Sequence, residues 1–281
     1  MVRQERSSKY RYIFFFLAAA CLLLAQSIFP VNAPAAQDTI RIGGTGGMLS
    51  ALGTLAEAFR KTHPATAIKV MPSLGSTGGI KAVIDGTLDM GISSRTLNDR
   101  EQGAQAREFA RTPFVFAVAI NNPVSNITIG ELADIYGDRT RTWPDNRPIR
   151  IVLRPSTEFD TSLLKSLSQD MDRAVTDALG RQGMIVAITD QDSAAAIEKI
   201  PGALGTTTLG QIISEKRRLK ILSLNGVKPG PSVSAAIYPY FKTYYLVTKT
   251  DPRPIVRQFI DFLQSPQGRD ILTRSGYRRT P

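Results

Sequence analysis

The sequence predicts an α/β protein of two lobes, each a mainly parallel sheet flanked by helices, with a hinge between them. Short strands alternate with amphipathic helices along most of the chain, which is typical of parallel sheets covered on both faces. The segment "TPFVFAVAINNP" at 112–123 is a near-continuous apolar strand, as a buried sheet requires. Glycine- and hydroxyl-rich loops follow four of the predicted strands.

The N-terminus has the three parts of a secretory signal peptide. Four basic residues precede the apolar run "YIFFFLAAACLLLAQSIF", and the small residues "APA" follow, ending at residue 35. This order predicts a signal at 1–35 and a periplasmic or secreted protein. Two alternatives are an uncleaved membrane anchor, since the run is long enough to span a bilayer, and lipid attachment at Cys21. The residues around Cys21 fit a lipidation site poorly.

Composition excludes several classes of site. Cys21 is the only cysteine and lies inside the predicted signal, so the mature chain has no disulfide, thiol nucleophile or zinc-thiolate site. The chain is basic, with a formal net charge of +11. Its basic residues are dispersed and are not interleaved with aromatic residues, which argues against nucleic acid and leaves an anionic surface or a small anion as partners.

The first predicted lobe begins with a βαβαβ pattern. The strand "TIRIGG", the helix "MLSALGTLAEAFRKTHP", the strand "AIKVMPSL", the helix "STGGIKAVIDGT" and the strand "LDMGISS" follow in order. We expect lobe I to comprise residues 36–115 with 236–281, and lobe II residues 116–235. Segments near 117–121 and 237–245 would then be the crossovers.

Lobe II repeats the alternation. "TIGELADIYGD" predicts a short helix capped by Thr128, and "PIRIVLRPSTEFDTSLLKSLSQDM" predicts a strand, a loop and a helix. "TDQDSAAA" resembles a cation loop only faintly, and Asp192 or Ser193 is expected to act as a helix N-cap there.

Four strand-to-helix loops share one composition: "GGTGGM", "LGSTGGIK", "ISSR" and "LRPSTEFDTS". Helix N-termini carry unpaired N–H groups and partial positive charge, which suit an oxyanion. Glycine permits close approach of the backbone, hydroxyls donate further bonds, and Arg154 can add a charge-assisted contact. Each loop alone is weak evidence, because Thr45 or Ser76 could simply cap a helix. Together they predict an oxyanion cleft between the lobes.

Catalysis has little support. His63, the only histidine, lies in "KTHP" at a helix end, and the GxSxG, HExxH and complete phosphate-loop motifs are absent from the sequence. We therefore predict a binding protein rather than an enzyme, with no cofactor and no metal.

The chain resembles the periplasmic phosphate-binding proteins of ABC transporters, within the type II periplasmic binding-protein fold. "GSTGGIKAVIDGTLDMGISSR" is similar to their second ligand loop, and "TIGELADIYGDRTRTW" with "RPIRIVLR" is similar to the segment before their ligand arginine. "IEKIPGALGTTTLGQI" and "FIDFLQSPQGRDILTRSGY" resemble later parts of the family in the same order.

The resemblance implies ligand contacts from Gly46 and Gly47, from Ser76 or Thr77, from Arg154, and from the helix start near Asp160 and Thr161. The composition of the loops adds Thr45, Ser93 and Ser94 to the predicted ligand-binding residues. Two departures stand out. Ser94 takes the place of a family aspartate that accepts a hydrogen bond from protonated phosphate. "PSTEFDTS" replaces the family's serine-glycine-threonine stretch, and a carboxylate there would repel an anion unless a proton is shared.

The leading hypothesis is an exported receptor that captures a small tetrahedral oxyanion, most favourably phosphate, and presents it to a membrane ABC permease. The family resemblance also implies a monomer. One alternative is a binder of sulfate or molybdate, and another is a secreted binding-fold protein that signals or adheres. A phosphate-ester hydrolase is disfavoured because no nucleophile–base pair is evident.

Overall fold

The computed structural model describes residues 38–279. The predicted signal at 1–35 lies outside the described residues. The strands, in chain order, are β1 Asp38–Gly44, β2 Thr66–Ser73, β3 Met90–Ser93, β4 Ala104–Ala119, β5 Asn126–Ile127, β6 Arg150–Leu153, β7 Ile185–Val186, β8 Ala203–Thr208, β9 Leu219–Ile221, β10 Ser223–Leu224, β11 Phe241–Lys249 and β12 Arg278–Arg279.

Helices separate most of these strands. After a 3-10 turn at Gly46–Met48, they are α1 Leu49–Arg60, α2 Gly75–Ile84, α3 Ile129–Tyr136, α4 Phe159–Ser166, α5 Gln169–Gly180, α6 Asp190–Lys199, α7 Leu209–Ser214, α8 Pro254–Gln264 and α9 Pro266–Arg274. The predicted α/β class is confirmed. Within residues 38–279, none of the helices has both the length and the apolar character needed to cross a bilayer.

The large sheet joins two groups of parallel strands through an antiparallel centre. Its main order is β2-β1-β3-β11-β4-β8-β6-β7. β1 is parallel to β2 and β3, and β6 is parallel to β7 and β8. The long strand β4 pairs antiparallel with β11 up to Pro113 and with β8 from Phe114 onward. The strand therefore changes partners within one residue and connects the two groups.

The hydrophobic cores divide along the same line. One cluster packs α1, α8 and α9 against β1 and β3, and a smaller one packs α2 on the opposite face. Two further clusters lie on either face of β4 and β8, and their residues fall between Phe114 and Tyr240. The lobe boundaries at 115/116 and 235/236 stay a prediction.

One of the two helix caps predicted from the sequence is confirmed, and the other is wrong. Thr128 caps α3 in a reciprocal arrangement with Glu131, as predicted. In α6 the cap is Thr189 rather than Asp192 or Ser193, and the Asp192 carboxylate bonds back to the Thr189 amide as the other half of a capping box. The reason is local geometry, since the residue three positions before the reciprocating acid is the one that fits.

Candidate functional site

Three of the four predicted loops lie where a β-strand ends and a helix begins, whereas "ISSR" leads from β3 to β4 with no helix between them, so the expectation of a helix after it was wrong. The loop after β1 carries Thr45 and Gly46 into the 3-10 turn, Ser76 lies in the first turn of α2, and Ser94 follows β3. Arg154 follows β6, and the first turn of α4 holds the acidic residue Asp160. The side chains of these residues are buried, whereas Thr77 on α2 is exposed.

The helices at these loops begin without a side-chain cap. The N-cap residues of α2 and α4, Leu74 and Glu158, make no side-chain capping bond, and neither does Thr45 before the 3-10 turn. Capping side chains are instead found on α3, α5, α6, α7 and α9, at Thr128, Ser168, Thr189, Thr208 and Ser265. Since the first amides of a helix have no intrahelical acceptor, α2 and α4 keep N–H donors available at their starts.

Arg154 is the buried cation of this region, with 2 % of its surface exposed. One guanidinium nitrogen, Nη1, donates to the carbonyl of Ala187 at 2.8 Å, which fixes the side chain. The Nε atom is buried and makes no hydrogen bond with the described residues, although Asp160 Oδ2 lies 4.0 Å from it. A buried donor left unpaired costs free energy, so the arrangement favours an additional acceptor at this point.

Lys242 on β11 is a second buried cation, which the sequence argument missed. Its Nζ lies 2.7 Å from Asp160 Oδ1 and 2.8 Å from Asp190 Oδ1, and the side chain is fully buried. Burial alone would lower the pKa of Lys242, but the two carboxylates outweigh it and hold the pKa above its ordinary value. A lysine inside the aromatic strand "YFKTYY" was the available signal, because a central strand position demands a buried partner for a charge.

Asp190 connects this pair to the first loop. Its Oδ2 atom accepts from the Gly46 amide at 3.0 Å and from the Thr45 hydroxyl at 3.2 Å. Burial would raise the pKa of Asp190, and Lys242 together with Arg154 lowers it well below its usual range. Two donors predicted for an external oxyanion therefore bond to a carboxylate of the protein itself. The Gly47 carbonyl accepts from the Tyr277 hydroxyl.

The second loop and the strand end lie next to each other. Ser76 Oγ lies 3.0 Å from Ser94 Oγ and accepts from the Ser94 amide at 2.9 Å. Ser93 turns instead to its own strand end, donating to the Arg95 carbonyl at 2.6 Å. Thr77 Oγ1 accepts from Arg95 Nη2 at 3.2 Å.

In the fourth loop, the Thr161 hydroxyl donates to the carbonyls of Arg154 and Pro155 at 3.0 and 2.9 Å. Asp160 faces Lys242, as described above. For all ten predicted site residues, a ligand contact stays a prediction.

Glu158 was also not among the predicted site residues. Its Oε2 lies 3.5 Å from Arg154 Nη2, and a Cβ placed on Gly75 would lie 3.7 Å from its Oε1. The carboxylate therefore lies between Arg154 and the start of α2. Burial raises the pKa of Glu158, and the attraction of Arg154 and Lys242 only partly offsets it. Among the described residues, no group of three or more His, Cys, Asp or Glu side chains has metal-binding geometry.

A family model for the PBP superfamily domain matches residues 30–267. The phosphate-binding protein PstS of Bacillus subtilis is 25% identical over 257 residues, covering 86% of this chain and 81% of the relative. PstS of Borreliella burgdorferi is 26% identical over 252 residues, covering 86% of this chain and 90% of the relative.

Solved structures share the fold. A Clostridium perfringens protein assigned as a phosphate ABC transporter substrate-binding protein, solved with phosphate bound, superposes with a TM-score of 0.72 at 21% identity, covering 87% of this chain and 100% of that one. An ABC-type phosphate transport receptor of Vibrio cholerae gives a TM-score of 0.60 at 21% identity, covering 86% and 100%.

Proposed function

The chain belongs to the PBP superfamily, and we propose that it is an exported receptor that binds a small tetrahedral oxyanion, phosphate foremost, and delivers it to an ABC permease. The relatives named above are phosphate-binding proteins. We also propose that it acts as a monomer and that residues 1–35 are removed on export to the periplasm or the cell exterior.

One observation carries the choice of ligand class. Arg154 is buried with an Nε donor that makes no hydrogen bond, beside helices α2 and α4, whose first turns lack side-chain caps. A tetrahedral oxyanion offers several acceptor atoms in one compact group, which suits a guanidinium and two helix N-termini at once. Ser76 and Ser94 add hydroxyls at the start of α2 and the end of β3.

Isothermal titration of the exported protein against phosphate, sulfate and molybdate tests this proposal. We expect heat on addition of phosphate and at least tenfold weaker binding by Arg154→Ala, about 1.4 kcal/mol. Arg100→Ala is a matched control, because Arg100 is exposed and its side chain has no partner in the described part of the chain. Absence of binding to every oxyanion would refute the proposal.

A second function is favoured by the carboxylates of Asp190 and Glu158, which already face the predicted donors. A receptor whose anion site is satisfied internally would act through protein contacts in signalling or adhesion. It predicts no heat with any oxyanion and no effect of Arg154→Ala on partner binding.

A further inference from the structure

The buried charges at the site do not balance. Three carboxylates, those of Glu158, Asp160 and Asp190, surround two cations, Arg154 and Lys242. Asp160 and Asp190 each contact Lys242 within 2.8 Å. The site therefore carries one surplus negative charge when all five groups are ionised.

Glu158 holds the surplus charge. Among residues 38–279, its only cationic partner within 4 Å is Arg154, at 3.5 Å, and the same guanidinium also lies 4.0 Å from Asp160 and 3.9 Å from Asp190. The Glu158 side chain is 21% exposed, whereas those of the other two carboxylates are 2% and 5% exposed. Glu158 can consequently reach solvent or take up a proton without disturbing the buried ion pairs.

Its position coincides with the place where an external anion would bind. One carboxylate oxygen faces Arg154, and the other faces Gly75, the first residue of α2. Gly75 has a positive φ of 67°, a conformation that glycine adopts without strain. A Cβ there would make only ordinary van der Waals contact with the carboxylate, at 3.7 Å, so a carboxylate or an oxyanion fits against this residue.

We propose that Glu158 determines the oxyanion affinity and charge selectivity of the site. Its ionised carboxylate occupies the position between Arg154 and Gly75 where an external oxyanion would bind, and it opposes entry of that oxyanion. This inference rests on the proposed function. Binding requires Glu158 either to swing toward solvent or to become protonated, after which the five-group cluster loses its surplus charge.

The charged groups around Glu158 set the direction of a pH effect. Arg154 from the end of β6 and Lys242 from β11 favour its ionised form, while Asp190 from α6 and Asp160 from its own helix disfavour it. Arg95 faces the same helix α2 through Thr77 and is paired with Glu101. Acidification neutralises Glu158 while the more strongly paired Asp190 stays ionised, so the opposition to an external anion decreases as pH falls.

The test compares the dissociation constant for inorganic phosphate of the wild type with those of Glu158→Gln and Glu158→Ala. We expect both variants to bind roughly tenfold tighter or more near neutral pH, about 1.4 kcal/mol. Glu57→Gln, on the exposed face of α1, is the matched control and should bind as the wild type does. Thermal unfolding of each variant verifies that it is folded.

The dissociation constants of the wild type and of Glu158→Gln are measured from about pH 8 to about pH 5. Their ratio at each pH cancels the titration of phosphate itself. The ratio should fall toward one as Glu158 becomes protonated in the wild type. Unchanged or weaker binding by folded Glu158→Gln and Glu158→Ala overturns the inference while leaving the proposed function standing. Binding by the variants alone supports the inference, and binding by none of the proteins refutes the proposed function and the inference with it.

Discussion

Replacing Lys242 with methionine would remove the cation that holds Asp160 and Asp190 together. The lysine side chain is fully buried, and its Nζ contacts one oxygen of each carboxylate at 2.7 and 2.8 Å. Methionine retains similar length and apolar volume, so the change tests charge more than packing. Asp160 and Asp190 would then be buried beside each other, with Arg154 as their remaining cation.

The magnitude follows from burial and from the distance to Arg154. Removing one partner of a buried ion pair typically costs about 3–5 kcal/mol, because an uncompensated charge remains. Water screens little here, but Arg154 lies 4.0 Å from Asp160 and 3.9 Å from Asp190 and retains part of the attraction. We therefore expect a loss of about 3–4 kcal/mol in the free energy of unfolding.

Urea unfolding near neutral pH measures the loss, with Lys228→Met as control, since Lys228 is exposed in the loop after β10. Adding Asp160→Asn and Asp190→Asn to Lys242→Met should recover much of the stability, because the uncompensated charges disappear. A loss below about 1 kcal/mol, of the size seen for exposed ion pairs, would refute the assigned role of Lys242.

Three further predictions concern caps, glycines and acid. Thr128→Ala should lower the free energy of unfolding by about 1 kcal/mol because it removes a capping box. Thr77→Ala, on uncapped α2, should change the free energy of unfolding by less than about 0.5 kcal/mol. Denaturant midpoints that rank the two variants the other way would contradict this. Gly79→Ala should destabilise by about 1–3 kcal/mol, since its Cβ would lie 2.6 Å from backbone. Gly53→Ala, with open space, should stabilise by about 0.5–1 kcal/mol; equal melting temperatures would argue against this packing. The pKa of Asp190 is depressed, so its contribution is present above its unfolded pKa of about 3.9 and lost as pH falls. The stability difference between wild type and Asp190→Asn should shrink on acidification, and a constant difference would exclude this linkage.

Several elements of both predicted lobes could be found from local patterns. α1 spans Leu49–Arg60, inside the segment predicted from apolar spacing, and the capping box at Thr128 is a motif of adjacent residues. Arg154 could be singled out because it directly follows a predicted strand, and ligands of open α/β sheets bind at the carboxyl ends of strands.

The change of neighbouring strand along β4 could not be predicted from local patterns. A continuous apolar run indicates a buried strand but not which strands flank it. Only the fold shows that Pro113 pairs with β11 and that its neighbour Phe114 pairs with β8.

The sequence by itself determined the α/β class, the order of the elements and the four glycine- and hydroxyl-rich loops, since periodicity and turn chemistry are local properties of the chain. Only the tertiary structure decided which charges meet. Lys242 is separated from Asp160 by 82 positions and from Asp190 by 52, and such pairings depend on strand order. The position of Glu158 between Arg154 and Gly75 was decided in the same way, because it requires the starts of α2 and α4 to approach each other.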